Sequence, residues 1–235
     1  MSERIEKILA RELNEPRSRV KTLLQKGQVT VDGVVARAGQ QADPDTQEIC
    51  LAGEPIACRA FVYLMLNKPT GVLSATDGKG EPTVLDLVPS ALRRKGLFPA
   101  GRLDKDTEGL LVITSDGQLA HRIISPKHEV GKVYYARLDG ELTDEDVAAL
   151  EAGIHIRDAD GEFDARPAQI DRDGGDAAYI RVTEGKYHQV KRMFAARGKQ
   201  VVYLKRMAIG GLALDPDLQP GEWRELTEEE VRLLE

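Results

Sequence analysis

Cysteine is almost absent: Cys50 and Cys58 are the only two in 235 residues, and they form no CxxC pair. A disulfide-built scaffold is excluded, and a thiolate zinc site is disfavoured. No apolar run approaches the ~20 residues that a membrane-spanning helix needs. The opening Met1–Lys7 lacks the basic-then-apolar order of a signal peptide. A cytoplasmic protein with no membrane partner is expected. The GxxxxGK[ST], GxGxxG and GxSxG signatures are all missing, which leaves nucleotide-dependent and serine-hydrolase readings unsupported. His121, His128, His155 and His188 fall into no ligand spacing, so no metal site is expected. An excess of positive charge is missing too. The chain has 33 Lys+Arg against 39 Asp+Glu, a net −6, which taken alone counts against a nucleic-acid partner.

What is present is an ordinary globular composition, 41% hydrophobic and 31% charged, long enough for one or two domains at about 150 residues each. Ile5, Ile8, Leu9 and Leu13 recur at helical spacing until Asn14 and Pro16. A second short helix follows, with Val20, Leu23 and Leu24 inward and Gly27 as its stop. It carries Arg17, Arg19, Lys21 and Lys26 with no acid among them. Val29–Val31, Asp32-Gly33 and Val34-Val35 read as a hairpin, and Glu48–Leu51 as the last strand of this segment. A boundary is placed near Cys58–Ala60, dividing the chain into 1–58 and 59–235. Beyond it, strands are expected over Phe61–Leu66, Leu110–Thr114, Val133–Leu138 and Tyr179–Val182. Capping boxes at Thr143/Asp146 and Thr227/Glu230 open helices, and Val190–Arg197 has a helical face. Without a regular βαβ rhythm, α+β is favoured over a doubly wound sheet. Asp171–Asp176 reads as a solvated hairpin tip.

Two stretches could carry chemistry. Gly101-Arg102-Leu103-Asp104-Lys105-Asp106-Thr107-Glu108-Gly109-Leu110-Leu111 is a polar, glycine-bounded turn running into a buried strand. Such a loop on a rigid element is a common home for catalytic groups, though a plain solvated turn fits the pattern as well. Asp104, Asp106 and Glu108 also match the start of a calcium loop. Ser115 then stands where a bidentate Glu is required, and no second carboxylate cluster supports a magnesium nuclease. From Lys186 to Arg206 seven bases occur with no acid, interleaved with Tyr187 and Tyr203. That composition suits RNA phosphates and unstacked bases.

The first stretch, as Gly101-Arg102-Leu103-Asp104-x-x-Thr107-x-Gly109-Leu110-Leu111, resembles the catalytic motif of the rRNA pseudouridine synthases. Leu66-Asn67-Lys68-Pro69-x-Gly71 and Lys132-Val133-Tyr134 resemble two further motifs of that family. Gly185–Phe194 is similar to its RsuA branch, which acts on small-subunit rRNA. The first 50 or so residues resemble the RNA-binding module named after ribosomal small-subunit protein four, with Ile5-Glu6 where Leu-Asp is usual. The resemblance implies an α+β fold: an αα-β-hairpin module, then a catalytic domain on a mixed, mainly antiparallel sheet with flanking helices and a central cleft. It implies an isomerase that flips a uridine out of its stack, cleaves the base–sugar bond and rejoins it through carbon, with no cofactor. The implied target is uridine 516 in the helix-18 region of 16S rRNA, free or in an assembling small subunit, and a monomeric enzyme is expected. Asp104 would act as nucleophile or base, Lys191 would keep it ionised, and Tyr134 would stack on the uracil and handle its proton. Arg102 would replace the flipped base, and Val190 or Met193 would give an apolar wall. Lys68, Tyr187 and Arg192, with Arg17, Arg19, Lys21 and Lys26, complete the candidate RNA contacts. Lys105, Asp106 and Glu108 are left out. A non-catalytic rRNA-binding or ribosome-assembly factor is the alternative.

The acidic total is unevenly spread. Residues 213–235 alone carry −6, so the rest sums to zero. Within that remainder, residues 1–41 carry +3, residues 184–206 carry +6 and residues 137–178 carry −9. Two basic patches facing RNA, with the acidic stretch turned away from the Asp104 cleft, are therefore expected.

Overall fold

The computed structural model describes residues 2–13, 15–44, 46–56, 58, 61–93 and 96–234. Asn14, expected to end the first helix, and Arg59 and Ala60, at the expected boundary, lie outside them. The chain divides into two compact units, Met1–Val62 and Tyr63–Glu235.

In the first unit, helices Ile5–Glu12 and Arg17–Gln25 pack their apolar stripes on a small sheet. Ile5, Ile8, Leu9, Val20, Val29 and Ile49 form a core sealed from solvent. The second helix ends at Lys26, and Gly27 takes the left-handed conformation that stops it. Strands Val29–Val31 and Val34–Val35 meet across Asp32-Gly33, both residues at positive φ, the geometry a two-residue hairpin turn demands. Ile49–Leu51 pairs with Val29–Val31 but is not the last strand. It turns again through Ala52-Gly53, also both at positive φ, into Glu54–Pro55. An alanine in that turn gives no sequence signal, which is why the extra strand is invisible in the pattern.

The second unit is built on a nine-stranded sheet. Its main path runs Gln169–Arg172, Ala177–Val182, Lys132–Leu138, Val201–Ile209, Glu108–Thr114, Tyr63–Lys68 and Trp223–Glu225. Only the Val201–Ile209/Glu108–Thr114 pair is parallel, so the sheet is mixed and mainly antiparallel. The apolar runs of Tyr63–Lys68 and Glu108–Thr114 are buried on both faces. Helices Asp144–Ala152 and Glu228–Arg232 open with the expected capping boxes on Thr143 and Thr227. Helix Gln189–Ala195 packs Val190, Met193 and Phe194 against Ala136, Ile180 and Leu204 of the sheet. Asp171–Asp176 spans the end of strand Gln169–Arg172 and an exposed turn into Ala177–Val182.

Three irregularities place the site. Strand Val201–Ile209 has a β-bulge at Met207: Val133 pairs with Ala208, but Tyr134 pairs with Arg206. Directly opposed residues share a sheet face, so the bulge sets the Arg206 side chain beside the Tyr134 ring. Gly109 sits at φ 101°, and a Cβ there would lie 2.3 Å from the Arg206 carbonyl oxygen, so only glycine lets these parallel strands approach. The loop between Pro99 and Glu108 is then free to project from the sheet.

Candidate active site

The loop carrying Asp104 is tied down from behind. Lys68 is fully buried, and its ammonium donates to the carbonyl oxygens of Pro69 (3.0 Å), Asp104 (3.0 Å), Lys105 (3.4 Å) and Thr107 (2.9 Å). Ser74 Oγ accepts from the Leu103 amide at 3.0 Å and donates to the Leu103 carbonyl at 2.9 Å. Burial pulls the Lys68 ammonium down to about 8, against the upward pull of Asp104, Asp106 and Glu108. Lys68, expected among the RNA contacts, is thus out of reach of any RNA. It holds the shape of the loop.

Asp104 lies at a cleft lined also by Arg102, Tyr134, His188, Val190 and Lys191. Its two oxygens face different side chains: Lys191 Nζ is 3.3 Å from Oδ2, and His188 Nε2 is 3.5 Å from Oδ1. Lys191 also reaches Asp106 Oδ1, at 2.6 Å. Burial works against ionisation of Asp106, but the Lys191 hydrogen bond and charge outweigh it and hold the carboxyl below its ordinary range. Asp106, which the sequence pattern does not single out, is the nearer partner of Lys191. His188 was passed over as well: it precedes helix Gln189–Ala195 in a left-handed conformation (φ 48°), which turns its ring to Asp104. Glu108 leaves this cluster, since it accepts the Tyr203 hydroxyl at 2.8 Å. Lys191 already occupies the space between Asp104 and Asp106, so the calcium-loop resemblance has no geometric counterpart. Among the described residues no group of three His, Cys, Asp or Glu side chains is arranged to hold a metal ion.

Tyr134 is half-buried, its hydroxyl 3.4 Å from Arg206 Nη1, and it walls the cleft with Val190. Arg102 is exposed at the mouth, and its guanidinium has no partner among the described residues. Tyr187 is 61% exposed, its ring stacked on His188 at 3.7 Å.

Other expected contacts within this unit do not reach the cleft. Met193, one turn beyond Gln189, is wholly buried in the core under the sheet, so of the two candidates Val190 reaches the apolar wall, with Leu103, Val182 and Leu204. Arg192 points the other way from Lys191, as adjacent helical residues do. It binds Asp158 through both Nε (2.7 Å) and Nη2 (2.8 Å) and lies over the Phe163 ring. Arg197 binds Asp146 at 2.9 Å. Part of the basic run thus neutralises the acidic stretch, and no residue of 137–178 lines the cleft. Arg17, Arg19, Lys21 and Lys26 are exposed on their helix in the first unit.

A second cavity, of about 430 Å³, shares Arg102 and Tyr134 with the cleft and is lined further by Lys132, Arg206, Ile123 and Ile124. No helix among the described residues is long and apolar enough to cross a membrane.

Residues 62–196 match the family model of RNA pseudouridylate synthases, and residues 3–47 match the S4 domain. An uncharacterized RNA pseudouridine synthase of Bacillus subtilis is 49% identical, covering 98% of each chain. The ribosomal small subunit pseudouridine synthase A of Escherichia coli is 39% identical, over 97% of this chain and 98% of its own. A crystal structure of a pseudouridylate synthase superposes with a TM-score of 0.70 at 36% identity, covering 98% of this chain and 99% of that one.

Proposed function

The chain belongs to the RNA pseudouridylate synthase family, an isomerase acting on RNA, and from that premise we propose that it converts one uridine of small-subunit rRNA to pseudouridine. The observation that carries the reading is Asp104, poised at a cleft with the Lys191 ammonium at one carboxylate oxygen, the His188 ring at the other and an aromatic wall beside it. The target uridine leaves its stack and enters the cleft. Its uracil lies on Tyr134, and Arg102 fills the space it vacates. Asp104 works at the sugar, where the base–sugar bond breaks and the base turns before rejoining through carbon. Lys191 holds Asp104 in place through their ion pair, and Asp106 orients Lys191. Every atom of substrate is retained in the product, so the reaction needs no oxidant and no group donor.

The S4 module supplies affinity through Arg17, Arg19, Lys21 and Lys26, which neutralise RNA phosphates. The support for a small-subunit target is the full-length similarity to enzymes of that name, and the proposed position is uridine 516 in the helix-18 region. In this reading the enzyme works in the cytoplasm as a monomer, on 16S rRNA either free or in an assembling small subunit. Mapping pseudouridines in rRNA from cells lacking the protein tests this directly. Loss of the modification at that one uridine, restored by the wild-type chain and not by Asp104→Asn, is expected. An unchanged map would overturn the proposal and favour a non-catalytic assembly factor.

A further inference from the structure

The second cavity differs from the cleft in having no carboxylate. Three of its lining side chains, Arg102, Lys132 and Arg206, are cationic, and no Asp or Glu among the described residues lines it. Lys132 and Tyr134 are two apart on one strand, and the bulge puts Arg206 opposite Tyr134, so all three share a sheet face. Arg206 is 3% exposed. Its Nε donates to the Leu110 carbonyl at 2.7 Å and its Nη1 reaches Tyr134, but its Nη2 is buried with no partner. The Lys132 ammonium has one acceptor in the structure, the Val130 carbonyl at 2.9 Å. Burial, and after it the Arg206 charge, pull this lysine down to about 8. A buried donor without a partner and two cations pressed together without an anion are both costly arrangements. A bound anion relieves both. Across from them Ile123 and Ile124 give an apolar wall, and the volume falls within the usual range of ligand pockets, about 300–1,000 Å³.

We propose that this cavity is a phosphate subsite: Lys132 and Arg206 bind a phosphodiester of the substrate RNA next to the target uridine, with the flanking nucleotide lying against Ile123 and Ile124. The proposal rests on the reading of the Asp104 cleft as the uridine site, which the shared Arg102 and Tyr134 place alongside. A phosphate held here fixes which uridine of a strand stands at the cleft. Lys132 and Arg206 are therefore positioning residues, acting on the register of the RNA.

The test uses the full-length protein and synthetic rRNA fragments containing the target uridine. Phosphates around that uridine are replaced singly by neutral methylphosphonate, each compared with a phosphodiester control carrying the same 2′-deoxy sugar. In the wild type, one position is expected to lose about tenfold in affinity. In Lys132→Gln the same replacement is expected to cost no more than about twofold, and the salt slope of binding to fall by about one. Arg206 also holds the Leu110 carbonyl, so its variants test folding as well. The wild-type scan needs no variant and stands by itself. A scan in which no position matters, or a sensitive position that is equally sensitive in Lys132→Gln, would overturn the subsite. If Asp104→Asn still turns uridine over, the functional reading fails. If Asp104→Asn is inactive and the phosphate scan is flat, the subsite alone fails.

Discussion

The cleft and the cavity beside it share Tyr134 and Arg102, yet they hold positive charge in opposite ways. In the cleft, Lys191 stands between Asp104 and Asp106, and His188 faces the remaining oxygen of Asp104. In the cavity, the partners of Lys132 and Arg206 among the described residues are carbonyls and a tyrosine hydroxyl. A site whose charges are already matched suits a neutral ligand, and uracil is neutral. A site whose cations are unmatched suits an anion. Charge matching thus sorts the two ends of a nucleotide before any contact is made.

The comparison is tested most severely where the cleft loses its anion. Asp104→Asn is expected to lower single-turnover conversion by on the order of 10⁴-fold while RNA binding persists. Turnover near the wild-type level would remove Asp104 from the chemistry. Next in size, Lys191→Met leaves two carboxylates without their ammonium. A fall in rate of about 10²–10³-fold is expected at unchanged urea midpoint, and a loss of RNA affinity alone would make Lys191 a phosphate contact. Lys68→Met removes the hub of four carbonyls. A stability loss of about 3–5 kcal/mol by urea denaturation is expected, because the buried acceptors are left unsatisfied. A soluble, equally stable variant with weaker RNA binding would return Lys68 to the RNA surface. Arg192→Met should cost stability, about 1–3 kcal/mol, and leave the salt slope of RNA binding unchanged. A flattened slope would show that Asp158 does not hold this arginine in solution.

The smallest effect concerns pH. Lys68 and Lys132 have folded-state values of about 8, against 10.5 for a free lysine. Between these limits the unfolded chain binds more protons, so stability rises as pH increases from about 8 towards 10.5. Tyr203 works the other way: burial and the Glu108 carboxylate push its hydroxyl to about 12 from 10.0, so its contribution is lost above pH 10. The urea midpoint is therefore expected to climb from pH 7.5 to 9.5, and to climb less in Lys132→Met. A midpoint that falls over this interval would contradict the burial of both ammoniums.

Much of this arrangement is legible in the residue pattern, for reasons that can be named. Capping residues, the Asp32-Gly33 turn and the apolar strands act locally, so Thr143, Thr227 and the Val29–Val35 hairpin emerge where their chemistry indicates. The motif residues Asp104, Tyr134 and Lys191 do meet at one cleft. What the pattern hides is direction. Lys191 and Arg192 are neighbours of one charge, and only the helix decides that one faces Asp104 and the other Asp158. Lys68 looks like any basic residue beside a proline until the loop closes over it. Asp106 and His188 lie 2 and 84 residues from Asp104, and neither spacing announces that they would share its lysine or face its other oxygen. The extra strand after Ala52-Gly53 has a related cause, a backbone conformation that alanine does not advertise.

The bulge at Met207 constrains the chain in arithmetic more than in chemistry. Arg206 and Ile209 must be separated by two residues where regular pairing opposite Tyr134 and Lys132 would need one. Deleting Met207 would restore an unbroken ladder and could even strengthen the strand as a strand. It would leave Arg206 opposite Tyr134 and Ile209 opposite Lys132, and remove the extra local twist and bend that a bulge gives its strand.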